Sequence, residues 1–165
     1  MSRLGEYFSF RHKPRGVWKW LLELPIWVYR ARLGFLFGDR LVVIVHRGRT
    51  SGNRYETALE VAHHYSEQDE YVVTSGTGPD ADWYRNVTAS PAEELWIGNG
   101  RFRPSQRSLS TTEAVAVMQA YQLAHPQVAG RLEQMMGVSH DGTPESWTAM
   151  MDRLPMMAFK PVEPL

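Results

Sequence analysis

Cysteine is missing from all 165 positions of this chain. Its absence excludes a disulfide scaffold, a thiolate zinc site, a haem-attachment motif and a cysteine nucleophile. Net charge is missing as well, because 18 Lys and Arg balance 18 Asp and Glu. A balanced total gives no reason to expect a nucleic-acid binder. No apolar run is clean enough to span a bilayer. The longest, Val17 to Phe37, is broken by Lys19, Glu23, Arg30 and Arg32 and has Pro25 in its middle, and charges near a membrane centre are costly. A Walker P-loop, a complete GxGxxG, a GxSxG elbow and an HExxH are all absent. His63 and His64 are neighbours on a predicted strand and face opposite ways, so no metal site is expected. The first sixteen residues are polar and basic rather than a signal peptide, and a cytoplasmic protein is expected.

What is present reads as an ordinary globular protein, with 43% apolar and 22% charged residues. One domain over 1–165 is expected, large enough to bury a core, with a basic, aromatic helical segment over 1–37 and a core over 38–165. The zero net charge hides a split. Residues 1–54 carry 11 basic and 3 acidic side chains, or +8, and the other 111 residues carry 7 and 15, or −8. Such asymmetry suits an anionic partner: a membrane surface, a nucleic acid or an anionic ligand. It equally suits a basic segment packed against acids of the same molecule. Trp18, Trp20, Trp27 and Tyr29 among arginines and lysines are the residues that favour a bilayer interface, so an amphipathic helix broken at Pro25 could touch a membrane or cover its own sheet.

Downstream, Leu41–His46 is a continuous apolar run and predicts a buried strand. Arg54–His63 alternates, with Tyr55, Thr57, Leu59 and Val61 on one face, and predicts its hairpin partner. Strands follow at 71–75, 94–97, 101–109 and 156–162. Asp82 is placed to cap a short helix that Pro91 ends, Ser110 and Glu113 form a capping box, and Pro126 and Pro144 open two more helices. About six strands, joined mainly by hairpins, with appended helices predict an α+β fold built on an antiparallel sheet or barrel. Seven of eight methionines come after residue 117, as core filler or as an adaptable pocket wall.

Two segments carry chemistry. His46–Tyr55, HRGRTSGNRY, joins two strands and offers Arg47, Arg49, Arg54 and Ser51 around turn glycines. Forked donors and oriented amides make an anion cradle, although a solvated hairpin has the same composition. Thr74–Asn86, TSGTGPDADWYRN, runs from a strand through small residues into a helix start with Trp83 and Tyr84. Small residues let a flat ring approach the backbone and aromatics can wall it, but the same aromatics could simply pack in a core.

Taken in order, LVVIVH, Gly48-Arg49-Thr50-Ser51-Gly52, the alternating strand, YVVTSG, Trp83-Tyr84-Arg85-Asn86 and Ser90-Pro91 resemble the deazaflavin-dependent nitroreductase family. The resemblance runs from about residue 14 to 162. It implies a split β-barrel of the FMN-binding type, and an oxidoreductase that transfers hydride from reduced coenzyme F-420 to a small electrophilic acceptor such as a quinone or nitro compound. By the same resemblance Arg49, Thr50, Ser51 and Gly52 lie at the cofactor's anionic phosphate and oligoglutamate tail, with Arg47 or Arg54 assisting. Ser75, Gly76 and Thr77 lie along the ring or its chain, and Trp83, Tyr84 and Asn86 line the next wall. Thr50 stands where the family usually has lysine, and Thr77 where many members have a basic residue. FMN is the alternative cofactor. A non-catalytic deazaflavin or flavin carrier, or a module binding the membrane surface, is the alternative function. No side chain needs a covalent role, since the cofactor performs the hydride step. Tyr121 and Trp147 are expected at the acceptor pocket, and a homodimer is expected from the behaviour of split barrels.

Overall fold

The structure is a computed structural model that describes residues 25–165. The apolar run forms strand β1 (Leu41–Arg47), in which Val42 through Val45 are fully buried. It pairs antiparallel with β2 (Arg54–Tyr65) on one side and β4 (Glu94–Ile97) on the other. With β3 (Glu70–Thr74), β5 (Gly100–Ser108) and β6 (Met156–Pro164), the strands close in the order β1-β2-β3-β6-β5-β4, every neighbouring pair antiparallel. Closure leaves no unpaired sheet edge. This is the α+β fold on an antiparallel barrel that the strand pattern predicts, with six strands and flanking helices.

Strand alternation sorts the core into three layers. Val42, Ile44, Leu59, Val61, Val73, Leu95, Met157 and Phe159 point into the barrel. Helix α2 (Asp82–Ala89) closes one end, laying Trp83, Tyr84 and Val87 on that interior. Gln106 pins the end of the helix: its amide donates to the Val87 carbonyl at 2.7 Å and its oxygen accepts from the Ala92 amide at 2.8 Å. On the outside of β1 and β4, Val43, Val45 and Trp96 meet Ile26, Tyr29 and Phe37. On the outside of β3 and β6, Val72, Met156 and Ala158 meet a layer of three helices, α3 (Thr111–Ala124), α4 (Pro126–Met136) and α5 (Pro144–Arg153). Strand β1 is therefore covered on both faces, which is why it reads as an unbroken apolar run.

The methionines resolve towards core. Met118, Met150, Met151 and Met156 sit between the helix layer and the barrel, and Met157 lies inside it. The Ser110–Glu113 capping box forms as predicted.

Two expectations change. The N-terminal segment is not helical through Phe37. Helix α1, described over residues 25–30, gives way at Arg32 to a left-handed backbone (φ 59°) and then a 3-10 turn, Gly34–Phe37. Gly34 is required there, because a Cβ would meet the Gly98 carbonyl and the Tyr29 ring. The part of the predicted helix before residue 25 lies outside the described residues. Asp82, in turn, does not cap α2. Ala81 occupies the N-cap without a side-chain bond, and the Asp82 carboxylate is drawn to Arg49 instead.

Candidate functional site

The end of the barrel that α2 covers lies where β1 runs into the turn 48–52. Strand parity carries the Val42–Ile44 face on to His46, and the Val61–Leu59 face on to Thr57 and Tyr55. The turn folds over these residues. Gly52, at φ +68°, donates its amide to the Gly48 carbonyl at 2.7 Å, and Gly48 itself passes close under Ser51 and Tyr55, where a Cβ would clash. Helix α2 arrives from the far side. Between them is a cavity of about 320 Å³, bordered by His46, Gly48, Arg49, Thr50, Ser51, Tyr55, Glu56, Thr57, Asp82, Trp83 and Asn86.

A continuous polar chain crosses the floor of this cavity. Asn86 is buried, and its Oδ1 accepts from both the Arg49 amide (3.0 Å) and the Arg49 guanidinium (2.9 Å). That leaves the Asn86 Nδ2 group to donate to His46 Nδ1 at 3.2 Å. With Nδ1 accepting, the imidazole carries its proton on Nε2, which donates to Thr57 Oγ1 at 3.0 Å. His46 is 2% exposed, and burial lowers its pKa against a weaker opposing pull from the Asp82 carboxylate. The histidine is therefore neutral, and it orients Asn86, which in turn holds the turn at Arg49. The Arg49 guanidinium also reaches Asp82 Oδ1 through two nitrogens, each at 3.1 Å.

Of the residues singled out in the sequence, Arg49, Thr50, Ser51, Trp83 and Asn86 meet at this cavity. Gly52 shapes the turn, and its carbonyl accepts from Arg47 at 3.2 Å. Arg47 and Arg54 are turned to carboxylates rather than to the cavity: Arg47 to Glu93 at 2.8 Å, Arg54 to Glu56 and to Glu94. Glu56 also accepts from Arg30. Among the described residues, Arg30, Arg47, Arg49 and Arg54 of the basic first third are thus paired with acids further along the same molecule.

The second segment behaves differently. Ser75 is fully buried, and its hydroxyl donates to the Gly78 carbonyl at 2.6 Å while its amide bonds to the Pro155 carbonyl. Gly76 lies against Met136 of α4, and Thr77 is exposed. Tyr84 packs on the barrel interior, edge-on to Trp83. Neither residue expected at the acceptor pocket borders the cavity. Trp147 is 4% exposed in the helix layer, stacked on His140, and Tyr121 packs on the same layer with its hydroxyl donating to Glu60 at 3.3 Å. His46, Thr57, Tyr55 and Asp82 were not singled out as site residues. Strand parity was the available signal for the first three, because they continue the inward faces of β1 and β2.

The model of the F420H(2)-dependent quinone reductase family matches residues 27–138, which include the turn, the loop and α2. The chain belongs to this family. It is an oxidoreductase, and its cofactor is coenzyme F-420. No curated protein matches the chain. Among solved structures, a chain described as a domain-swapped dimer is similar at TM-score 0.51 and 16% identity, over 88% of this chain and 100% of that one. An F420-H2 dependent reductase (FDR-A) aligns at TM-score 0.48 and 18% identity, over 73% and 94%. A pyridoxamine 5′-phosphate oxidase-related, FMN-binding protein from Nostoc punctiforme aligns at TM-score 0.46 and 11% identity, over 90% and 82%.

Proposed function

We propose that this member of the family reduces a small, flat electrophile, a quinone or a nitro compound, and that the cofactor's anionic portion is held at the turn 48–52 beside α2. The observation that carries this reading is the convergence at one cavity of Arg49 and Ser51 with Trp83 and Asn86, all inside the family match. The donor set fits an anion: a guanidinium and a hydroxyl on a tight, glycine-bearing turn. When bound, the reduced cofactor supplies a hydride, and the acceptor takes it up with one proton from solvent. The chain's own residues align and shield. Asn86 keeps Arg49 aimed across the cavity, and His46 holds its single proton on Nε2 towards Thr57 so that the floor stays neutral. Trp83 offers an apolar wall that limits water.

The test is a fluorescence titration with coenzyme F-420 and, separately, FMN. Reduced coenzyme F-420 is then offered quinones and nitroaromatics, and its reoxidation is followed. Binding of F-420 with turnover of a quinone is the expected result. Binding without any acceptor favours a carrier, and failure of F-420 to bind overturns the placement of the cofactor.

Two features of assembly belong to the same proposal. A homodimer is supported by the domain-swapped relative and is checked by sedimentation. Contact with a membrane surface is supported by Trp27, Leu33, Phe35 and Leu36, all exposed on one short segment beside Arg30 and Arg32. Among the described residues no helix is long and apolar enough to cross a membrane. Co-sedimentation with anionic vesicles, with and without a Phe35→Ser and Leu36→Ser pair, tests the contact; equal pelleting rejects it.

A further inference from the structure

Among the described residues, Arg49 is the arginine that borders the cavity, and its guanidinium is already engaged. Two of its N–H groups point at Asp82 Oδ1 and one at Asn86 Oδ1, so three of the five donors of an arginine have internal acceptors. The two acceptors differ in kind. Asn86 is buried, neutral and tied to His46. Asp82 is charged, its side chain is 67% exposed, and it makes no capping bond to its own helix. One rotation about its side-chain bonds would release it into water. The neighbouring Arg47 and Arg54 offer no substitute, because neither borders the cavity.

A carboxylate oxygen on two guanidinium N–H groups is the arrangement that a phosphate or carboxylate of an arriving ligand would itself make. We propose that Asp82 is a built-in competitor for Arg49, and that it sets both the affinity and the selectivity of the cavity for an anionic ligand. The inference rests on the proposed placement of the cofactor's anionic portion at the turn. Binding is then an exchange in which the ligand oxygen takes the two N–H groups and Asp82 swings out. The departing carboxylate stays nearby and repels the ligand. A group able to present two oxygens to the guanidinium, such as phosphate, displaces Asp82 better than a weak single acceptor does.

The test titrates the full chain carrying Asp82→Asn with oxidised coenzyme F-420 by fluorescence, beside the wild type and Asp82→Glu. Asp82→Asn should bind roughly two- to ten-fold more tightly, the scale expected when an exposed ion pair and a nearby like charge are removed. Asp82→Glu keeps the competitor and should stay near the wild type, and Asp82→Ser should repeat the gain. In an Arg49→Ala background the Asp82→Asn gain should shrink to the part owed to charge repulsion alone, clearly below the gain seen with Arg49 present, because the competition runs through Arg49. Unchanged or weaker binding by Asp82→Asn overturns the inference, as does a full gain without Arg49. A wild type that binds F-420 while Asp82→Asn matches it overturns only this inference. A wild type that fails to bind F-420 overturns the placement of the cofactor as well.

Discussion

The turn 46–55 and the loop 74–78 look alike as sequence: each leaves a buried strand and is rich in glycine and hydroxyl residues. The fold treats them in opposite ways. In the turn, the polar groups are brought together around a space, and the guanidinium of Arg49 is held by a carboxylate that can leave. In the loop, the hydroxyl and the amide of Ser75 are consumed by the chain itself. The Ser75 hydroxyl closes a tight bend on Gly78, its amide is tied to Pro155, and Gly76 is pressed against the helix layer. The difference teaches that composition alone does not separate a ligand cradle from a structural bend. What separates them is whether a charged group beside the space keeps an exposed, exchangeable partner in addition to its buried ones.

The comparison breaks first at the helix layer behind the loop. Trp147 is buried among Val117, Met118, Met150 and Leu154 and stacks on His140. Trp147→Ala should cost about 3–5 kcal/mol of stability, as large aromatic truncations in a core do. Urea unfolding measures this. Below the transition, the folded fraction should still bind F-420 with near wild-type affinity, since Trp147 does not border the cavity. A large affinity loss in the folded protein would show that the two regions act as one.

The next effect falls on the turn. Arg49→Ala should weaken F-420 binding about ten- to hundred-fold, the scale of one or two charged hydrogen bonds. Its stability should change by less than about 1 kcal/mol, because the ion pair it loses is exposed on the Asp82 side. Parallel fluorescence titration and urea melts read the two numbers. Ser75→Ala should give the mirror image. It should cost about 1–2 kcal/mol of stability, because the Gly78 carbonyl loses its buried donor, while F-420 affinity stays within about two-fold. A Ser75→Ala variant that is stable but binds poorly would move the loop into the cofactor site.

Most of the barrel was legible in the sequence because strand parity and capping are local signals. LVVIVH, the alternation from Tyr55 to Val61, and the Ser110–Glu113 box each sit where they were expected. The end of the N-terminal helix was not legible. It depends on the close approach of Gly34 to Gly98, a contact between residues 64 positions apart. The cavity was legible in half. Arg49, Ser51, Trp83 and Asn86 stand out by type and by resemblance, but pairing of Arg47 with Glu93 and of Arg54 with Glu94 follows from which strands become neighbours. Asp82 reads as a helix cap in one dimension and becomes a partner of Arg49 only when α2 crosses the barrel mouth. Trp147 and Tyr121 were misleading for the same reason. Aromatic character marks a wall, but only the packing of α3 and α5 decides what it encloses.

The smallest effect sharpens the comparison at the cavity floor, where His46 is the buried titratable group. Its folded pKa lies below the ordinary value of 6.5, chiefly through burial. The unfolded chain therefore binds the proton more readily than the folded one between the folded pKa and 6.5. Stability from this group is fully present above pH 6.5 and is lost as the pH falls through that window. The structure gives the loss a second consequence. A proton on Nδ1 would face the Asn86 amide donor, and Asn86 would have to turn its oxygen away from Arg49 to meet it. F-420 affinity should therefore weaken in the same acid window as stability. Unfolding and binding measured from pH 7.5 to about 5 in the wild type and in His46→Gln would isolate the contribution, since a glutamine cannot take the proton. The slope removed by His46→Gln should amount to at most one proton. Identical slopes in the two proteins would mean that the buried imidazole does not govern the floor of the cavity.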